Sequence, residues 1–221
     1  MGFRKEVYPF IFIVLAVQAV VTAIGLYLGW DRGLLVGIGS AIAVVLVAYL
    51  FWFFRDPHRV PPVDPKVVLS GADGVIAQIK EVREDTHLKT DAIRISIFLN
   101  LFNVHVNRAP IRGKVRFLNY FPGQHVFTFL DESSDVNQHS EILIEGPDTR
   151  CLVAQIVGPV CRRVVYWLDV DQELDQGERF GMMKFGSRLD MFFPKDDVEV
   201  ICSKGQKVQA GLTVIARLKD R

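Results

Sequence analysis

Charge is nearly missing from the start of the chain: between Phe10 and Phe54 the only charged side chains are the adjacent Asp31 and Arg32. Cysteine is scarce as well. Cys151, Cys161 and Cys202 are widely spaced and contain no C-x-x-C pair, so they offer neither a disulfide framework nor a zinc-type ligand set, and no other metal site stands out. Reduced, mostly buried thiols suit a cytoplasmic domain. With a formal net charge of +1 and no run of Lys and Arg, nothing reads as a nucleic-acid surface. The G-x-S-x-G elbow of the α/β-hydrolases is also absent, which leaves ordinary esterase chemistry with little support.

What fills the charge-poor stretch is a pair of apolar runs. Phe10 to Trp30 carries nothing more polar than Gln18 and Thr22, and Gly33 to Phe54 has no charge at all. At about 1.5 Å per residue each reaches roughly 30 Å, the thickness of a bilayer's hydrocarbon core. The first is longer than a signal-peptide core and a second follows at once, which favours a transmembrane helical hairpin over a cleaved leader. Tyr49, Trp30 and Trp52 lie toward span ends, where amphipathic aromatics favour the interface. Arg4 and Lys5 precede the hairpin and Arg55 and Arg59 follow it, while the Asp31-Arg32 turn sums to zero, so the positive-inside bias puts both ends in the cytoplasm. A cell (inner) membrane anchor over residues 1–54 is expected, then a proline-rich linker over 55–65, then a domain over 66–221.

In that last segment the period changes to that of strands. "GVIAQIKEV", "AIRISIFL", "GKVRFLNYF", "HVFTFL", "SEILIEG", "CLVAQIVG", "RVVYWLDV" and "VEVICS" are short, rich in Val, Ile and aromatics, and separated by turn residues. They predict a mainly β (α+β) fold with an antiparallel β domain. Residues 171–184 and 205–218 also repeat weakly, matching Leu174 to Val208, Gly177 to Gly211 and Phe180 to Val214. Each copy reads as strand, turn glycine, strand, a hammerhead half-motif like those of lipoyl-type domains. A lipoyl-like binding module without catalysis is therefore an alternative, although neither copy offers a lysine at an obvious hairpin tip for acylation.

Few residues could do chemistry. Asp73, in "SGADGVI", reads either as an Asx-turn or as a site residue. His105, in "LNLFNVHVNRAP", is expected on an apolar strand ending at Pro110, sharing a face with Asn103, Asn107 and leucines; this could be a satisfied core edge or a site. His125 and His139 sit in polar, turn-rich surroundings and read as surface residues. Ser187 follows Gly186 in the middle of the otherwise strand-like "FGMMKFGSRLDMFFP", where the pair could simply mark a β-bulge. A serine nucleophile needs a base and a group to orient that base, and Asp73, His105 and Ser187 supply the three types. A membrane-tethered serine hydrolase is one way to use them.

"SGADGVI", "FNVHVNRAP", "CLVAQIVGPVCRR", "DQGERFGMMKFGSRLDMFFP" and "GQKVQAGLTVIARL", in collinear order over nearly all of Val60 to Leu218, resemble the phosphatidylserine decarboxylase proenzymes of the short bacterial and archaeal type. The apolar hairpin suits that group too. The resemblance implies a lyase that makes its own cofactor: the Ser187 hydroxyl attacks the Gly186 carbonyl, the resulting ester is eliminated, and position 187 is left as a pyruvoyl group. Glycine ahead of the serine would let the hydroxyl approach. The two products, 1–186 and 187–221, would stay associated. The pyruvoyl group would form a Schiff base with the serine headgroup of phosphatidylserine and act as an electron sink for decarboxylation to phosphatidylethanolamine, a step of phospholipid biosynthesis at the membrane. An archaetidylserine decarboxylase would work by the same mechanism.

By position, the resemblance makes Asp73 the aspartate that orients the base, Ser187 the cleaved serine and His105 the motif histidine. Longer members have two histidines three residues apart; here the second position is Arg108. Whether His105 serves self-cleavage, decarboxylation or both stays open, and Gly71 stands where many relatives have proline. Arg108, Arg112 and Arg188 are expected as substrate phosphate contacts, against the alternative of solvated surface arginines. Uncovered strand edges leave room for a homo-oligomer.

Overall fold

The computed structural model describes residues 2–62, 64–124, 137–158, 164–184 and 187–220, and the statements below concern those residues. "HVFTFL", His125, Cys161 and Gly186 lie outside them. The chain divides into two compact units, Met1–His58 and Arg59–Arg221.

In the first unit α1 (Tyr8–Tyr27) and α2 (Arg32–Phe53) form a helical pair whose ends are tied by β1 (Gly2–Phe3) pairing with β2 (Arg55–Asp56). Asp31 is the N-cap of α2: its Oδ1 accepts from Leu34 N at 2.7 Å, satisfying one of the donors that a helix start leaves without an intrahelical partner. Both helices are long and apolar enough to cross a membrane. Their outer faces leave apolar side chains uncovered, Phe12, Val44 and Val45 among them, which is what lipid-solvated helices do and core helices do not. Gln18 keeps its amide satisfied within the helix by donating to Thr22 Oγ1 at 3.1 Å.

The second unit is built of β3 (Val67–Leu69), β4 (Gly74–Glu84), β5 (Thr90–Leu99), β6 (Val106–Arg108), β7 (Gly113–Phe121), β8 (His139–Glu145), β9 (Arg150–Val157), β10 (Val164–Tyr166), β11 (Glu173–Leu174), β12 (Arg179–Met183), β13 (Ser187–Pro194), β14 (Val198–Val200), β15 (Lys207–Val208) and β16 (Val214–Leu218). An eight-stranded antiparallel sheet runs β11-β7-β8-β9-β13-β5-β4-β15, and two smaller sheets run β10-β12-β6 and β14-β16-β3. Alternation along β13 sends Leu189, Met191 and Phe193 into the core, where they meet Ile95 and Ile97 of β5 and Val153 of β9. Val68, Phe180, Met183 and Ile215 from the smaller sheets join the same core.

The repeat is visible in three dimensions. β11 and β12 flank Gly177 (φ 78°), and β15 and β16 flank Gly211 (φ 70°), left-handed positions that glycine occupies without a Cβ penalty. Gly177 N donates to Ala109 O and Gly211 N to Ser70 O, each at 2.8 Å, so the two copies use equivalent bonds to the residues that directly follow β6 and β3 respectively. A Cβ on Gly211 would lie 3.4 Å from Gly177 Cα, so the two turns touch.

One expectation is corrected. The segment from Phe98 to Pro110 is not a single strand: β5 stops at Leu99 and β6 starts at Val106. Asn100 and Asn103 make the break, with Asn103 N donating to Asn100 O at 3.1 Å, Asn103 Oδ1 accepting from Asn100 N and Asn100 Oδ1 accepting from Phe102 N, each at 2.9 Å. Side-chain bonds of this kind give the backbone a turn in place of a ladder.

Candidate active site

The run that holds Ser187 belongs to two sheets. β12 lies between β10 and β6, whereas β13 is a central strand between β5 and β9, so the chain crosses from one sheet to the other between Met183 and Ser187. Ser187 opens β13, opposite Leu99 on one side and Val157 on the other. It is fully buried, and its Oγ has no hydrogen-bond partner among the described residues. A buried hydroxyl that makes no bond is costly to keep. On the other side of β5, Val75 pairs with Phe98, which puts Asp73 at the same end of the sheet as Ser187.

His105 is fully buried just ahead of β6, and its carbonyl accepts from Met183 N at 3.1 Å, which ties it to the end of β12. Its Nδ1 lies 3.0 Å from Asn103 O. A carbonyl oxygen only accepts, so Nδ1 carries the proton and in the neutral ring Nε2 is the basic nitrogen.

Asp73 has other partners than the histidine. Arg59 grips it with Nη1–Oδ1 at 2.5 Å and Nη2–Oδ2 at 2.8 Å, while Ala210 N donates to Oδ1 at 2.8 Å and Arg59 Nη1 also donates to Ala210 O at 2.7 Å. Among the described residues no hydrogen bond joins Asp73 to His105; the carbonyl of Asn103 holds the ring.

The three arginines are dispersed. Arg108, 4% exposed, donates from Nη1 to Gly177 O and from its backbone N to Gly71 O, each at 3.0 Å. Arg188 is buried on the face of β13 away from the core, where its Nη2 donates to Asp190 Oδ2 at 3.1 Å. Arg112 is exposed beside Gly146, at the opposite end of the sheet from Ser187. Along β9 the two ends, Arg150 and Val157, are separated by about 23 Å at the usual rise of roughly 3.3 Å per residue. The structure brings Asp73 and Ser187 to one end of the sheet, ties His105 and Arg108 to the adjoining strands, and leaves Arg112 apart.

Sequence reasoning passed over a buried polar chain beside the site. Ser140 Oγ donates to Gln155 Oε1 at 2.8 Å and Gln155 Nε2 donates to Asn107 Oδ1 at 2.7 Å, and all three residues are fully buried. Gln155 is the one polar residue inside "CLVAQIVG", a signal that was available. On the opposite face of the sheet a cavity of about 260 Å³ is lined in part by Arg94, His139, Glu141 and Asp190. His139 is half-buried there, with Nδ1 2.7 Å from Asn137 O, rather than a solvated surface residue. Burial by itself would push the Glu141 carboxyl up, but hydrogen bonds with His139 and His87 outweigh it and hold the group below the usual glutamate range.

The chain thus couples two helices of membrane-spanning length to a β unit in which a fully buried serine opens a central strand where the chain changes sheets. The profile of the family described as phosphatidylserine decarboxylase matches residues 46–216. The chain is 40% identical over 205 residues to a phosphatidylserine decarboxylase proenzyme of Carboxydothermus hydrogenoformans, covering 93% of each. It is 38% identical over 218 residues to one of Magnetococcus marinus, covering 98% of this chain and 95% of the relative. The chain belongs to the phosphatidylserine decarboxylase family, and is a carboxy-lyase.

Proposed function

We propose that this chain is a proenzyme that cuts itself between Gly186 and Ser187, and that the residue left at position 187 serves as a pyruvoyl group for converting phosphatidylserine to phosphatidylethanolamine. The observation that carries this is the Ser187 hydroxyl: buried, without a hydrogen-bond partner among the described residues, and placed where the chain changes sheets. An unpaired buried hydroxyl is a nucleophile that gives up little when it turns to a carbonyl.

The Oγ proton passes to a base as Oγ bonds to the Gly186 carbonyl carbon, and the Ser187 nitrogen takes a proton as the amide becomes an ester. Loss of the Ser187 Cα proton then expels the Gly186 carboxylate, and water replaces nitrogen, released as ammonia. His105 Nε2 is the base that the ring's bond to Asn103 O leaves ready for the first transfer. Burial excludes bulk water, which would otherwise hydrolyse the ester before elimination could occur. A pyruvoyl group at position 187 would supply a ketone that takes up the substrate amine and accepts the electrons released with carbon dioxide. Asp73 keeps a carboxylate at the same sheet end, and Arg108, close to that end, is the phosphate contact its placement supports best.

The helical pair would hold the site at the level of lipid headgroups, and the flanking Arg4, Lys5, Arg55 and Arg59 favour the cytoplasmic side. Intact mass on the full chain tests the chemistry. Two fragments, 1–186 and a short one with a blocked pyruvoyl end, are expected from the wild type, and one whole chain from Ser187→Ala; a wild type that stays whole in membranes would end the proposal.

A further inference from the structure

A two-point ionic contact at the site end of the sheet uses a residue from the proline-rich segment after α2. Arg59 and Asp73 form a two-point pair with both side chains almost closed to solvent, 7% and 10% exposed. The same guanidinium bonds to Ala210 O, and Asp73 Oδ1 accepts from Ala210 N, so guanidinium, carboxylate and the N–H and C=O of one residue close a ring of hydrogen bonds. A planar fork meets two carboxylate oxygens and a carbonyl in one fixed geometry; an ammonium on a flexible stem does not impose that geometry. The loop that carries Asp73 is also tied by a backbone bond from Ser70 N to Thr213 O at 2.8 Å and a side-chain bond from Ser70 Oγ to Ala72 O at 2.7 Å, neither of which touches the Asp73 carboxylate. Arg59 is therefore the side chain that decides where the Asp73 carboxylate points.

We infer that Arg59 is a positioning residue for self-cleavage: it holds the Asp73 carboxylate against the Ala210 amide at the Ser187 end of the sheet. The inference rests on the serinolysis reading above and adds a residue to it. Ala210 lies C-terminal to the cut and Arg59 and Asp73 lie N-terminal to it, so the ring also joins the two products where they must stay in register. The pair is neutral as a unit, and removing Arg59 would leave a nearly buried carboxylate without its counter-charge.

The test is a time course of cutting by the full chain synthesised into membranes or detergent, read by intact mass. Misplacing a group by about 1 Å can cost on the order of 100-fold, so Arg59→Ala is expected to slow cutting by about 10- to 100-fold, and Arg59→Lys to recover part of that rate. Asp73→Asn should be slow as well, and Arg59→Ala combined with Asp73→Asn no slower than Asp73→Asn alone, because the two residues act as one unit. Losses that multiply in the double variant, or cutting by Arg59→Ala at or above the wild-type rate, would overturn the assignment. If Arg59→Ala does not fold, Arg59→Lys and Arg59→Gln fill the same space: a native unfolding midpoint with slow cutting supports the inference, and a native midpoint with normal cutting by both refutes it. An uncut wild type would remove the serinolysis reading and this assignment with it, whereas a cut wild type with an unaffected Arg59→Ala removes the assignment alone.

Discussion

Arg188 and Asp190 form an ion pair on one face of the central strand β13, with Nε and Oδ1 3.0 Å apart and side-chain exposures of 2% and 0%. Between them stands Leu189, which points the other way into the core. Breaking a buried pair from one side takes a counter-charge away from a group that is closed to water. Asp190→Ala is expected to cost about 3–5 kcal/mol. Arg188→Met combined with Asp190→Leu should recover most of it, and urea unfolding of the full chain in detergent compares the two. Equal losses in both variants would show that the pair is not acting as a unit.

Removal of His105 should act on rate rather than on fold. General base help is worth about 100- to 10,000-fold, so His105→Ala is expected to slow appearance of the two fragments by that order. The check is the fraction cut against time, with far-ultraviolet circular dichroism to confirm that the sheets survive. A normal rate would remove His105 from the cutting step.

Gly181 of β12 is opposite Tyr166 of β10, and a Cβ there would meet Val165 O at 2.6 Å and Gln155 Nε2 at 3.0 Å. Neither atom can give way without disturbing a ladder or the Gln155–Asn107 bond. Gly181→Ala is expected to destabilise by about 1–3 kcal/mol, seen as a lower unfolding midpoint.

The Glu141 carboxyl supplies a pH dependence. Its folded pKa is lowered, against the opposing effect of burial, by His139 and His87, whose Nε2 is 3.0 Å from Oε2. A depressed folded pKa contributes stability that is present above the ordinary glutamate value of about 4.3 and is lost as pH falls through the folded value. Wild type should therefore exceed Glu141→Gln in unfolding midpoint at neutral pH, and the gap should close as the solution is acidified below about pH 4. A gap that does not change with pH would assign the difference to packing.

Cys151 tests the core. Burial pushes its thiol well above the usual range, and Cys202 is pushed up less far by the same cause, so Cys151 should resist alkylation in the native chain and react only on unfolding. Peptide mass mapping after a short iodoacetamide pulse reads this directly.

The strands were legible because period-two alternation and turn residues are local signals, and the repeat was legible because Gly177 and Gly211 occupy equivalent left-handed positions. The break at Asn100–Asn103 was not, since the apolar residues on either side continue the alternation and only the asparagine side chains reveal the turn. Ser187, His105 and Asp73 were picked out by chemistry and by resemblance, but the partner of Asp73 is 14 residues away in a segment that reads as a spacer. Arg188, expected as a phosphate contact, is also paired with Asp190 two residues on, a pairing that the order of residues does not announce. Pairings across space carry no periodicity, and that is the part a single sequence hides.

The change of sheets between β12 and β13 has a consequence for the life of the molecule. The bond proposed to break joins strands that are each held laterally by other neighbours, β12 by β10 and β6, β13 by β5 and β9. The cut would therefore leave every ladder intact while turning one chain into two. Folding would have been directed by a single connected polymer. Once cut, a chain that unfolds would have to reassemble from separate pieces, one of them the owner of the central strand, with no serine left to rejoin them. The mature molecule would thus keep its shape as an heirloom of its precursor, and its lifetime would be set by how slowly it opens rather than by how well it refolds.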